Sequence, residues 1–366
     1  MSGFIIPLLV LSMVNELFVT VGQVIRVTTH RPNIPTYGYA ILGDVAVDGQ
    51  MMHALVDTGS SALYFTWKHW YEYFTRPGAC ATLLTGCYQC PKGCTVGPLT
   101  FIKYTDGTEV DIFSHQGQLV FAAGAVSPIQ FGLVAGQQPT PNVVAPMSSI
   151  GLGLREVPGY RSLMAQLQGK IAGPTFAMFI RSSSSPHTIP KGELLLGGGD
   201  PHLYVAPLRY VPLLSQQEYL VTIDTLQVAG GRKKTGINKS ILIDSGGQGL
   251  VIPQSFAGGF IQDISDQVSK AAKTKVQISW IPALRIWEFG CSYISYFPML
   301  FVGLGRGGSV LLTMAGKHYT RNFHGICSLA ISQSPGDSWF LPGFIFIDRY
   351  VEFQPSQRRI GFANLI

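Results

Sequence analysis

The chain has 366 residues, of which 13% are charged and 46% are hydrophobic, and its formal net charge is +6. So few charged side chains exclude a disordered chain and a coiled coil, whereas 42 Gly and 23 Pro favour many short strands joined by turns. The basic residues are scattered except at 232–234, which is typical of a solvated loop. We therefore expect no nucleic-acid partner.

The amino-terminal segment is almost continuously apolar from residue 4 to residue 14, Asn15 and Glu16 interrupt it, and residues 20–22 offer the small side chains that a signal peptidase reads. This pattern predicts a signal peptide over residues 1–22, with cleavage after Gly22. An uncleaved anchor is the alternative, but eleven apolar residues are too few to cross about 30 Å of hydrocarbon. We expect a protein of the secretory pathway with no stable membrane span.

Six cysteines follow the predicted signal peptide, and an even number there favours disulfides: Cys80, Cys87, Cys90, Cys94, Cys291 and Cys327. The first four predict two bridges among themselves, although Cys87 and Cys90 also have the spacing of a zinc-ligand pair. The remaining two would then form the third bridge. The histidines show no metal-ligand spacing, and His53 is predicted to pack within a strand, so no metal is expected. Asn238 begins a glycosylation sequon.

One short motif occurs twice, as LVDTGS at 55–60 and as LIDSGG at 242–247. Each copy is an apolar run that predicts a buried strand, followed by Asp and a glycine turn. About one hundred residues later, each copy is followed by an apolar segment around a glycine, at 150–154 and at 339–344. A repeated motif with a repeated partner predicts two lobes of similar architecture.

Three further patterns lie around these motifs. Two alternating segments, 101–104 and 109–112, flank an Asp-Gly turn and predict a hairpin. Apolar runs at 175–180 and 193–196 predict strands. The composition of 263–273 predicts a short surface helix.

The two Asp motifs, together with segments 131–133, 150–154, 192–198 and 358–363, resemble the pepsin-like aspartic protease family in the family's own order. The resemblance covers residues 36–366. It implies an all-β, bilobal fold with a few short helices, in which two double-psi barrel-type lobes enclose a central cleft. It further implies an amino-terminal lobe over 27–205 and a carboxyl-terminal lobe over 206–366.

The same resemblance implies that Asp57 and Asp244 are the catalytic pair and that no cofactor or metal is needed. Two adjacent carboxyls share a proton and activate a water. The resemblance also implies that the hydroxyls of Thr58 and Ser245 cross-link the two active-site loops and that Ser60 hydrogen-bonds the outer oxygen of Asp57. Gly247 departs from the Thr or Ser of the family, so Asp244 loses a donor unless a water or a backbone N–H replaces it.

The hairpin resembles the flap of the family, with Tyr104 at the flap tyrosine and Tyr64 where the family often has Trp. By the same resemblance, the first specificity pocket is expected at Val143, Val144 and Ser148.

The predicted function is that of an aspartic endopeptidase, active in acid on polypeptides with apolar residues beside the cleaved bond. The alternative is a weakly active or inert homologue that binds or inhibits proteins or glycans. We expect a monomer that is secreted or resides in an acidic vacuolar or lysosomal compartment.

Overall fold

The computed structural model describes residues 22–34, 38–122, 124–183, 185 and 188–366. The predicted signal peptide falls almost entirely on residues outside these ranges. Among the described residues, no helix is long and apolar enough to cross a membrane.

The first half of the chain is built mostly from strands, many with alternating or continuous burial. The alternating burial follows the alternation of side chains along a strand, which turns every second residue towards the core. In chain order the strands are β1 (Ile25–His30), β2 (Asn33–Ile34), β3 (Gly38–Tyr39), β4 (Leu42–Val47), β5 (Gln50–Asp57), β6 (Leu63–Thr66), β7 (Leu99–Lys103), β8 (Glu109–Phe121), β9 (Gly124–Gln138), β10 (Ser149–Gly151), β11 (Phe176–Arg181) and β12 (Lys191–Leu196).

The second half of the chain is also built mostly from strands. Its strands are β13 (Arg209–Pro212), β14 (Leu220–Val228), β15 (Lys239–Ile243), β16 (Leu250–Pro253), β17 (Ser279–Ile281), β18 (Ile286–Phe289), β19 (Leu300–Leu304), β20 (Val310–Met314), β21 (Thr320–Phe323), β22 (Ile326–Leu329), β23 (Ile331–Ser334), β24 (Phe340–Leu341), β25 (Arg349–Gln354) and β26 (Arg359–Asn364). The mainly β, bilobal fold class expected from the sequence is confirmed.

The α-helices are short apart from one: α1 (Lys68–Phe74), α2 (Leu163–Gln166), α3 (Gln254–Ala272) and α4 (Gly316–Tyr319). Single 3₁₀ turns occur at Ala79–Thr82, Pro201–Leu203, Cys291–Tyr296, Arg306–Gly308, Gly343–Phe346 and Pro355–Gln357. The prediction of a short helix over 263–273 is wrong in length, because α3 begins at Gln254. Its buried residues at 257, 260, 261, 264 and 268 have helical spacing, but two glycines interrupt its amino-terminal half in the sequence.

One long sheet joins the two halves of the chain. Its strands lie in the order β13, β26, β25, β11, β12, β1, β4, β5, β10, β6, β9, β8 and β7. The junction is the antiparallel pair of β11 with β25, where Phe176 faces Phe353 and their rings stack at 4.5 Å. Because both halves contribute strands to this sheet, the lobe bounds 27–205 and 206–366 remain a prediction.

The repeated motif corresponds to a repeated strand pairing. The strand that ends at Asp57, β5, pairs in parallel with β10, and β15, which precedes Asp244, pairs in parallel with β24. In each half the glycine of the later segment lies close to backbone. A Cβ at Gly151 would lie 2.3 Å from the nitrogen of Ala62, and one at Gly343 would lie 2.8 Å from the oxygen of Ser245. Side chains are therefore excluded at both positions.

Disulfides join Cys80 to Cys87, Cys90 to Cys94, and Cys291 to Cys327. The four cysteines of the first half therefore pair among themselves, and none is left as a thiolate for the zinc alternative.

Candidate active site

The two aspartates lie at the ends of buried strands and face each other. Asp57 is 5% exposed and Asp244 is partly exposed. Their carboxyl groups are within hydrogen-bonding distance of each other. A Cβ at Gly59 would lie 2.8 Å from Oδ1 of Asp244, and one at Gly246 would lie 2.6 Å from Oδ1 of Asp57. Because neither turn glycine has a side chain, the carboxyl of the aspartate from the other half can occupy the space beside it.

Asp57 is held by its own turn. The amide of Gly59 donates to Oδ1 at 2.8 Å, and the hydroxyl of Ser60 donates to Oδ2 at 2.6 Å. Both carboxylate oxygens therefore accept a hydrogen bond, which fixes the plane of the group and favours its ionised form.

Within its own turn, Asp244 accepts hydrogen bonds from backbone amides. The amides of Gly246 and Gly247 donate to its Oδ1 at 3.0 and 3.1 Å. Gly247 thus supplies a backbone N–H, as the sequence left open, but no hydroxyl for Oδ2. The two carboxyls consequently have unequal surroundings.

The two active-site turns are joined through Thr58 and Ser245. The amide of each residue donates to the hydroxyl of the other, at 3.0 Å to Ser245 Oγ and at 2.9 Å to Thr58 Oγ1. Each hydroxyl in turn donates to a carbonyl of the opposite half, at 2.8 Å to Ile243 and at 2.6 Å to Val56. Both side chains are about 2% exposed, so these four bonds are shielded from water.

Burial raises the pKa of Asp57 above the ordinary value of an aspartate, and its hydrogen bonds from Ser60 and Gly59 oppose this shift. Burial, followed by the charge of Asp57, raises the pKa of Asp244. Two carboxyls so close cannot both ionise easily, so the pair retains one proton into a pH range where an isolated Asp has lost it.

The hairpin formed by β7 and β8 covers this pair. Tyr104, just after β7, has its hydroxyl 2.7 Å from that of Tyr64. Tyr104 lies near Ser60, whose hydroxyl donates to Asp57. Burial raises the pKa of both tyrosines, so both stay protonated. The hydrogen-bonded pair of Tyr64 and Tyr104 therefore lies beside Ser60 and Asp57.

The three residues predicted for the first specificity pocket differ in exposure and in their hydrogen bonds. Val143 is 65% exposed, and the carbonyl of Val144 accepts from the side chain of Gln137 at 2.8 Å. Ser148 is fully buried, and its hydroxyl accepts from the amide of Thr66 at 3.1 Å. The side chain of Ser148 thus holds β6, and the placement of these three residues at the first specificity pocket remains a prediction. Asn238 is exposed and lies immediately before β15.

Two features of this site were missed in the sequence. The carbonyls of Val56 and Ile243 accept from the paired hydroxyls, but a backbone group carries no signal of its own in a sequence. The bond between Tyr64 and Tyr104 joins residues forty positions apart. The only indication of this bond in the sequence was that Tyr64 stands where the family often has Trp, another aromatic side chain with a hydrogen-bond donor.

Comparison with known proteins agrees with this geometry. A family model described as "Eukaryotic aspartyl protease" matches residues 38–365, which confirms the resemblance inferred from the motifs. Gastricsin of Mus musculus is 24% identical over 341 residues, covering 88% of this chain and 80% of the relative. Cathepsin D of Homo sapiens is 25% identical over 384 residues, covering 94% and 84%. Secreted aspartic protease 1 of Candida albicans is 26% identical over 265 residues, covering 70% and 63%.

Proposed function

This chain belongs to the eukaryotic aspartyl protease family, and from that premise we propose that it is an endopeptidase with Asp57 and Asp244 as its catalytic pair. The observation that carries the proposal is the contact between the carboxyl of buried Asp57 and that of partly exposed Asp244, each within reach of the turn that holds the other. Such a pair holds one proton and one negative charge, the combination that general acid–base catalysis on a peptide bond requires.

The proposed reaction uses a water bound between the two carboxyls. The ionised carboxyl accepts a proton from this water as the water oxygen attacks the peptide carbonyl carbon. The protonated carboxyl donates its hydrogen to the carbonyl oxygen, so that a neutral tetrahedral diol forms. Return of a proton to the amide nitrogen and breakage of the carbon–nitrogen bond then release the two products. Neither a metal nor a covalent intermediate takes part.

The hydrogen bonds of the site support this scheme. Ser60 stabilises the charge on Asp57, whereas Asp244 lacks a hydroxyl donor. We therefore assign the proton of the resting pair to Asp244 and the negative charge to Asp57. Because the two groups titrate as a pair, this assignment describes the favoured arrangement of one shared proton.

The hairpin with Tyr104 acts as a flap in this proposal. It closes over an extended polypeptide and excludes water from the carboxyls, which strengthens their interactions with the substrate. We propose apolar residues on both sides of the cleaved bond, with Val143 and Val144 near the first pocket.

We further propose a secreted or vacuolar monomer, cleaved after Gly22 and glycosylated at Asn238. The disulfides fit an oxidising compartment, and the name of one relative describes it as a secreted aspartic protease.

The test is digestion of a denatured protein between acidic and neutral pH, with and without a statine-type inhibitor. Asp57→Asn and Asp244→Asn should each abolish hydrolysis, because either change removes the shared proton or the base. A Thr58→Ser variant is the matched control, since it retains the hydroxyl. Turnover close to that of the parent in either Asn variant would refute the assignment.

The alternative, a weakly active or inert homologue that binds or inhibits proteins or glycans, predicts little or no hydrolysis at any pH. The absence of a hydroxyl at Gly247 favours it, whereas the two bonded carboxyls favour the enzyme.

A further inference from the structure

A second group of titratable side chains lies on the outer face of the long sheet. His30, Asp44 and His53 come from three adjacent strands, β1, β4 and β5. Nδ1 of His53 is 2.7 Å from Oδ1 of Asp44, and Nδ1 of His30 is 3.2 Å from the same oxygen. The two imidazole rings meet edge to face with their centroids 5.3 Å apart.

Strand register explains how these residues meet. Asp44 lies directly opposite His53 in the antiparallel pair of β4 with β5. In the pair of β1 with β4, His30 lies opposite Leu42 and is therefore a diagonal neighbour of Asp44. All three side chains are partly exposed, by 17% for His30, 29% for Asp44 and 34% for His53. An ion from solution can reach the group without opening the core.

Two imidazole nitrogens and one carboxylate oxygen form a common ligand set for zinc, with water as the fourth ligand. A tetrahedral site with zinc–ligand distances of about 2.0–2.2 Å places its ligand atoms roughly 3.3 Å apart. The ligand atoms here are 2.7 and 3.2 Å apart at the carboxylate and all lie within 4.8 Å of one another. Small side-chain rotations therefore suffice to hold an ion between them.

We propose that His30, Asp44 and His53 form a binding site for one zinc-type divalent transition-metal ion, separate from the catalytic pair. The ion takes the place of the hydrogen bond between His53 and Asp44 and of the closer approach of His30 to the same oxygen. Each imidazole then coordinates through Nδ1 and carries its proton on Nε2, so the rings remain neutral. The bound ion links β1, β4 and β5. The last of these strands ends at Asp57, four residues after His53, so the ion braces the strand that positions the catalytic pair.

The charges around the site act on a cation in opposite directions. Lys191, across from His30 on β12, weakens the attraction of a cation, whereas Asp44 strengthens it. Because metal binding needs neutral imidazoles, the site is tested at about pH 7.

The test is calorimetric titration of zinc into chelator-treated full-length protein at about pH 7, together with the unfolding temperature with and without zinc. The parent should bind one ion per chain and unfold at a higher temperature in zinc. Asp44→Asn and His53→Gln should each weaken binding by more than about tenfold. The matched control is His202→Gln. Nδ1 of His202 is 3.0 Å from Oδ1 of Asp200, but this pair has one imidazole whereas the proposed site has two. This variant should bind as the parent does.

Nitrogen chemical shifts of the histidines provide an independent readout in the zinc-loaded parent. Coordination should appear at Nδ1 of both His30 and His53, which needs no variant to fold. Absence of binding by the parent, or a His53→Gln variant that binds as well as the parent, would overturn the site. None of these readouts uses peptide hydrolysis, so the outcome is independent of the proposed enzyme activity.

Discussion

The amide of Thr58 donates to the hydroxyl of Ser245, and the amide of Ser245 donates to the hydroxyl of Thr58, so each residue binds the other through the same pair of atoms. The two residues are 187 positions apart. This reciprocal contact joins the two turns that carry Asp57 and Asp244. Because it holds the backbone of both turns, it determines how far apart the two carboxyls lie.

Thr58→Val should weaken this connection, because it leaves the amide of Ser245 and the carbonyl of Ile243 without their partner inside the protein. A buried polar group without a partner costs about 1–3 kcal/mol. We expect a lower unfolding temperature and a lower kcat, measured by thermal unfolding and by peptide hydrolysis. Thr58→Ser keeps the hydroxyl and serves as the control. A Val variant as stable and as active as the Ser variant would show that the turns are held by other contacts.

Gly247→Ser should move the acidic limb of the pH–activity profile to lower pH. Gly247 does not have a positive φ, and a Cβ there would lie 3.3 Å from Oδ2 of Asp244, so the new hydroxyl can donate to that oxygen with a small adjustment. A bond to the charged form favours ionisation and lowers the pKa of the pair. The measurement is kcat/KM against pH for the parent, for Gly247→Ser and for Gly247→Ala, which adds the Cβ alone. Coincident acidic limbs in the Ser and Ala variants would mean that the two amides already compensate for the missing hydroxyl.

Tyr64→Phe should reduce kcat/KM by roughly tenfold, equivalent to about 1.4 kcal/mol of transition-state stabilisation. The change removes the hydroxyl that lies 2.7 Å from that of Tyr104, so the flap loses a contact that holds it closed. Tyr64→Trp should restore much of the activity, because the indole N–H can donate to the hydroxyl of Tyr104. Tyr73→Phe, at an exposed residue, is the control. Equal kcat/KM in the Phe variant and the parent would remove this bond from the mechanism.

Asp244→Asn should make the protein more stable than the parent at neutral pH and equally stable in acid. Burial and the neighbouring Asp57 raise the pKa of Asp244 in the folded state, so the folded protein binds more protons than the unfolded chain. Stability of the parent is therefore full below the ordinary Asp pKa of 3.8 and decreases as the pH rises through the raised value. Each unit of upward shift corresponds to about 1.4 kcal/mol.

The measurement is the unfolding temperature of the parent and of Asp244→Asn across the same pH range. Asp57→Asn should follow the same course, because either variant leaves a single carboxyl and so removes the proton that the folded pair retains. A parent that becomes more stable with rising pH relative to both variants would contradict the raised pKa values.

Much of the architecture could be read from the sequence by itself. Apolar runs before Asp57 and Asp244 predicted buried strands, because a short continuous run of apolar side chains that ends at a turn is typical of a strand with both faces buried. The repeated motif and its two glycine segments predicted a repeated arrangement, which the parallel pairs of β5 with β10 and β15 with β24 display. The helix α3 was predicted too short, since glycines within it disguise its helical periodicity.

Contacts across the chain were decided only by the tertiary structure. Thr58 and Ser245 were expected to bridge the turns by resemblance, but their reciprocal bonds and their carbonyl partners depend on how two distant strand ends meet. The group of His30, Asp44 and His53 has no regular spacing in the sequence, because its members belong to three strands brought together by register. Local pattern determined which residues are buried in strands, since burial depends on side-chain hydrophobicity and period. Which polar groups meet was decided by the pairing of strands far apart in the chain, and that pairing is a property of the whole packed core.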